Sequence, residues 1–192
     1  MKKISQQMRT VFALLALPFA LTLLVSCASD SDNAAKFSNA DRMFADMMIP
    51  HHEQAIQMSD LAIEISENPD IVALARKIKS AQAPEIEQMK SWEDNGDPSH
   101  MGHDMMEDLD EAGNGMMGML DEGEISELER AQGVEFDRLF LKGMIVHHEG
   151  AIDMAEMVVD SDNEEAAALG KAIIESQRAE IEEMKTLLAT IS

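Results

Sequence analysis

Apolar residues recur along this chain in alternating steps of four and three, with polar residues between them, and strand-like alternation is scarce. That period belongs to helices that bury one stripe, so the pattern predicts an all-α chain. One stripe passes Phe44, Met48, His51, Ala55, Met58 and Ala62; another passes Phe140, Met144, His147, Ala151, Met154 and Val158. Ser38-Asn39-Ala40-Asp41 has the form of a capping box and starts a helix that runs to about Glu67. Asn68-Pro69 supplies an N-cap and a first-turn proline for a second helix, to about Trp92. Its stripe is Ile71, Leu74, Ile78, Gln82, Glu85, Met89 and Trp92. Residues 94–115 lose the period and read as an irregular linker rich in glycine and acids. A short helix near Glu122–Ala131 leads into a third long helix, to about Val159. Ser161-Asp162 then caps a fourth, striped by Ala166, Leu169, Ile173, Gln177, Glu180, Met184 and Leu187.

The stripes repeat. DRMFADMMIPHHEQAIQM (41–58) matches DRLFLKGMIVHHEGAIDM (137–154), and QAPEIEQMK (82–90) matches QRAEIEEMK (177–185). The long helices therefore form two hairpins of one design, about 38–93 and 132–190, joined by a Met-, His- and acid-rich linker over 94–121. Neither hairpin can bury its stripe alone, and together they make a four-helix bundle with approximate twofold symmetry. Pro50 breaks that symmetry: it removes a backbone donor where the second half has Val146, and a kink is expected beside the first His pair.

The N-terminus changes the picture of where the bundle sits. Lys2, Lys3 and Arg9 precede the apolar run VFALLALPFALTLLV, which ends at LVSC. This is a secretory leader, expected over residues 1–26, and Cys27 has the setting of a bacterial lipoprotein cleavage site. A lipidated Cys27 would begin a short polar tether, 27–37, ahead of the bundle at 38–192 and anchor it to a membrane, facing the periplasm or cell surface. Removing the leader takes the formal charge from −22 to −25. Such an acidic body is unsuited to nucleic acid or to lying along anionic lipid. Cys27 is the only cysteine, so an intrachain disulfide and a thiolate metal site are both excluded.

Composition then points to chemistry. The chain has no Tyr but 17 Met, in an export route where thioethers are prone to oxidation. On each odd helix a Met stands one turn before the first His of a His-His pair, and another stands two turns after it. His51 and His147 fall on the buried stripe, whereas His52 and His148 are rotated by roughly 100° and are expected at its flank. Glu53 and Glu149 turn to water. Gln82, Glu85, Gln177 and Glu180 are polar residues on inward stripes and need partners. The inward imidazoles would serve, since a carboxylate that accepts one ring N–H leaves the other nitrogen for a metal. Thioether combined with imidazole selects copper, and Cu(I) in particular. One shared site and two adjacent sites fit the pattern equally. A second cluster in the linker, His100, Met101, His103, Met105 and Met106, could wrap a soft cation on flexible backbone.

The repeated MI-x-HHE-x-AI-x-M motif and the QxxEIxxM stretches resemble the family known as domain of unknown function 305, over about residues 38–190. The resemblance implies a ferritin-like bundle in the cell envelope, and in some members periplasmic copper binding linked to copper resistance. Carried over by position, it reaches Met48, His51, His52 and Met58, then Met144, His147, His148 and Met154, with Met89 and Met184 on the following helices. The expected function is capture or buffering of copper outside the cytoplasm, with a metal ion as partner. The alternative is a structural or partner-binding lipoprotein whose His, Gln and Glu form a buried polar core. A di-iron oxidase is remote, because that chemistry uses Glu-x-x-His and this chain places Met or Ile three residues before its paired His. No catalytic motif is present, and an enzyme is not expected.

Overall fold

The computed structural model describes residues 36–93 and 116–191. Five α-helices account for most of them: α1 (Asn39–Ile65), α2 (Pro69–Glu93), α3 (Glu122–Arg130), α4 (Gly133–Ala155) and α5 (Glu164–Thr190). The leader, Cys27 and the His100–Met106 cluster lie outside the described residues.

The helix ends follow local chemistry. Ser38 accepts from the Asp41 backbone N–H while the Asp41 carboxylate accepts from the Ser38 N–H, which completes the expected capping box. Asn68 accepts from the Asp70 N–H ahead of α2. The cap of α5 is Asn163 rather than Ser161-Asp162: its Oδ1 accepts from the Glu165 and Ala166 N–H groups. Helix α4 ends at Ala155, not near Val159, and a turn carries the chain through Asp160. Helix α1 runs unbroken through Pro50, so the kink expected there is not a break in the helix.

Helices α1 and α2 form one hairpin, α4 and α5 the other, and α1 packs on α4. The molecule is an all-α, ferritin-like bundle of two repeated hairpins, with α3 as a short addition beside α4. Its apolar interior falls into two clusters. One joins Phe44 and Met48 of α1 to Met89 and Trp92 of α2, Met154 of α4 and Ile173 of α5. The other joins Met58 of α1 to Ile71 of α2, Phe140 and Met144 of α4 and Met184 of α5. The start of α1 thus meets the end of α4, which makes the two antiparallel. Fully burying each such Phe or Met contributes about 1.5–3 kcal/mol, so both clusters are strong anchors. Between them, at the middle of every long helix, lies the polar layer.

Candidate metal centre

The repeat places its two His-His pairs in that layer. His51, His52, His147 and His148 all have no solvent exposure. The flank on which His52 and His148 are expected is itself interior: both rings are as deeply buried as the first of each pair. The reason lies in the second-layer helices, because α2 covers the flank of α1 and α5 covers that of α4. Glu53 and Glu149 face water, as the helical rotation requires.

The carboxylates also choose other partners than expected. His52 Nε2 lies 2.8 Å from Glu85 Oε2, and His148 Nε2 lies 2.9 Å from Glu180 Oε2, whereas His51 and His147 have no carboxylate partner. The two halves are alike but not equal: the Glu180 side chain is 4% exposed and the Glu85 side chain 17%. Lys77 of α2 reaches Glu180 Oε1 at 3.8 Å and ties α2 to α5. His51 Nε2 meets the carbonyl oxygen of Met117 at 3.1 Å. Carboxylate and carbonyl oxygens only accept, so each of these Nε2 atoms carries the proton and donates.

At the centre His51 and His147 stack across the approximate twofold, with ring centroids 3.7 Å apart and planes tilted by 37°. Burial drives the His51 pKa from 6.5 down to about 3, and the neighbouring His52 pushes the same way. The His147 pKa falls well below 6.5 through burial and then through His51. Burial also lowers that of His148, against the opposing pull of Glu180. These rings are neutral at physiological pH, and in His51 and His148 the Nδ1 atom is a bare lone pair.

Those lone pairs go unused. Nδ1 of all four histidines, and Nε2 of His147 as well, is buried without a hydrogen-bond partner. The backbone of His51 faces the His147 ring but does not complete a hydrogen bond. Both polar atoms of Gln82 and Oε1 of Gln177 are orphaned likewise, so the two inward glutamines do not serve the histidines through those atoms. An unmet buried polar atom costs about 1–3 kcal/mol, so such a concentration in a bundle core calls for an explanation beyond packing.

The thioethers flank this layer on both sides. Met48, Met89 and Met154 belong to the apolar cluster at one end, and Met58, Met144 and Met184 to that at the other; all six are fully buried. The twofold exchanges the two trios, since Met48 pairs with Met144, Met58 with Met154 and Met89 with Met184 in the repeat. Among the described residues, no three His, Cys, Asp or Glu side chains are grouped to hold a metal ion. The donor types at hand, thioether and neutral imidazole, suit a soft monovalent cation.

One part of the centre was not anticipated. The last residues of the linker are ordered: a 3-10 turn, Met116–Gly118, and the residues after it lie against α4 and α1. Gly150 makes room for it, for a Cβ there would stand 1.5 Å from the Met117 carbonyl oxygen. Gln54, at the matching repeat position of α1, grips the Leu120 backbone with two hydrogen bonds of 2.8 Å. The signal was in the repeat: HHEQAIQM and HHEGAIDM differ at this position, and a mid-helix glycine has no propensity reason to be there.

With this geometry in place, comparison with known proteins is informative. The family model for Domain of unknown function (DUF305) matches residues 41–188. The chain belongs to the DUF305 family. A DUF305 crystal structure from Streptomyces coelicolor, described as a secreted protein, is 30% identical with a TM-score of 0.68, covering 79% of this chain and 93% of that one. A DUF305 fragment from Deinococcus radiodurans is 27% identical with a TM-score of 0.67, over 81% of this chain and 99% of that one. CopM in its Cu(II)-bound form is 32% identical with a TM-score of 0.63, over 78% of this chain and 96% of that one. CopM has also been solved in Cu(I)-bound, silver-bound and apo forms that match this DUF305 bundle. No curated protein sequence matches significantly.

Proposed function

We propose that this DUF305 protein binds copper, as Cu(I), and captures or buffers it in the cell envelope. The observation that carries the reading is the layer of four buried histidines with unpartnered Nδ1 atoms, set between two trios of buried methionines. Met48, His51, His52, Met58 and Met89 supply donors from the first hairpin, and Met144, His147, His148, Met154 and Met184 from the second. Glu85 and Glu180 orient His52 and His148 by accepting their Nε2–H. Metal binding needs deprotonated imidazole, and burial keeps His51, His147 and His148 in that form. The copper- and silver-bound forms of CopM, a protein about a third identical, support the choice of metal. The leader and Cys27 support export and a lipid anchor, and the His100, Met101, His103, Met105 and Met106 cluster is a candidate for a second, weaker store. No step of catalysis is assigned to the centre; the ion is cargo.

A second reading also has an observation behind it. The His52–Glu85 and His148–Glu180 pairs join α1 to α2 and α4 to α5, so the layer could serve only to fix hairpin register. Anaerobic titration of the protein with Cu(I) against a coloured chelator, beside His51→Ala/His147→Ala, separates the two. Tight binding that is lost in a still-folded variant supports copper at the centre. Binding retained in the variant moves it to the linker or to His52 and His148, and absence of binding in the parent leaves only the register role.

A further inference from the structure

Among the described residues, the walls of the histidine centre are long helices except on the α1/α4 face, where the short stretch Met117–Leu120 crosses over it. Its carbonyl at Met117 meets His51 Nε2 at 3.1 Å, while the Met117 side chain on the other side is 42% exposed. Gly118 is pressed so closely to α4 that a Cβ would stand 2.4 Å from the Val146 carbonyl oxygen. Gln54 then fastens Leu120 to α1, and Leu120 covers Gly143, where a Cβ would lie 3.1 Å from its side chain.

We infer that Met117–Leu120 is the door of the copper site proposed above: the ion enters and leaves when this strap lifts from the α1/α4 face. Resting on that reading, the inference adds a route and a control to it. The four rings have no solvent exposure, so some part of the wall must open for any ion to reach them. The helices are held by full stripes of buried side chains. The strap has no such stripe: the two Gln54 hydrogen bonds, the His51 contact, the seat of Gly118 on α4 and that of Leu120 hold it, and local opening starts where the fewest side chains are buried. Met117 adds a bias towards opening, because its φ of 39° and ψ of 58° are left-handed, a conformation non-glycine residues rarely hold. With the door shut, the Met117 carbonyl holds the proton of His51 on Nε2 and leaves Nδ1 as the donor. The exposed Met117 thioether stands at the mouth, where an arriving soft ion would meet its first sulfur.

The test uses the full-length protein, Gln54→Ala and Gly150→Ala. The first removes the clamp at a half-buried helix position that favours Ala, and the second prevents the strap from seating. Two rates are read. One is Cu(I) transfer to excess chelator by stopped flow. The other, on metal-free protein, is diethyl pyrocarbonate modification of the His51–His52 and His147–His148 peptides by mass spectrometry. Gln54→Ala should speed both rates about tenfold, the effect of losing a pair of hydrogen bonds on an opening equilibrium, and Gly150→Ala should speed them at least as much, with copper stoichiometry and helical circular dichroism kept. Transfer and modification both within twofold of the parent, in both folded variants, overturn the door. If the parent binds Cu(I), His51→Ala/His147→Ala loses it, and neither rate moves, copper at the centre stands and the strap is only packing. If the parent binds no Cu(I) but the variants speed modification, the strap is a door and copper is not what passes it.

Discussion

Mild acid should destabilise the metal-free protein well before most of its carboxylates titrate. His51 has a pKa of about 3 in the fold, against 6.5 in an unfolded chain. Its folded pKa is depressed, so the unfolded state binds the proton first. The stability this confers is present above pH 6.5 and is lost as pH falls towards 3. Within that window each such histidine removes about 1.4 kcal/mol per pH unit, so His51 alone costs about 2 kcal/mol between pH 7 and 5. His147 is pushed the same way and adds in the same sense. An opposing effect exists: the chain carries a net charge of −22, and protonating carboxylates relieves its self-repulsion. Those groups titrate mainly near pH 4, so the interval from 7 to 5 isolates the imidazoles. The assay is urea denaturation of the apo protein at half-unit pH steps, followed by circular dichroism at 222 nm and by Trp92 fluorescence. The free energy of unfolding should fall steadily from pH 7 to 5, and His51→Gln should lose about one proton's share of the slope. A free energy that is flat or rises over this interval would refute the neutral, buried His layer.

Other consequences can be checked on the same material. Glu180→Ala strips the buried His148 Nε2–H of its acceptor and should cost about 1–3 kcal/mol in thermal unfolding; Glu85→Ala, at the more exposed twin, should cost less. Met48→Leu/Met144→Leu nearly conserves volume and should change stability by less than about 1.5 kcal/mol per site, yet weaken Cu(I) in chelator competition. Equal copper affinity in that variant would remove Met48 and Met144 from the site. Trp92, stacked on Phe37 at a centroid distance of 4.7 Å and in the same cluster as Met48, Met89 and Met154, should report copper loading by a change in its fluorescence. If copper binds while Trp92 stays silent, the ion does not sit near that trio.

The periodic stripes alone determined the helix count, the hairpin repeat and the buried stripe of each odd helix. Helical periodicity is a one-dimensional property, and every residue of the two odd stripes, Phe44 to Ala62 and Phe140 to Val158, is fully buried as read. Capping at Ser38 was legible for the same reason: its partners are three residues away. Helix α1 continues through Pro50, with buried stripe residues on both sides of it. What lay beyond the sequence was which neighbour each flank would meet. A helical wheel puts His52 and His148 beside the stripe, but only the position of α2 and α5 makes that flank interior and delivers Glu85 and Glu180 there, rather than to His51 and His147. Likewise no local rule could send residues 117–120 back over α1 and α4. That contact joins Met117 to His51 and Leu120 to Gln54 across more than sixty positions, and its trace in the chain is a few glycines, such as Gly150 where the repeat has Gln54. Burial of a stripe is fixed by spacing along one helix, whereas the pairing of polar groups is fixed by distances between helices, and those exist only once the chain has folded.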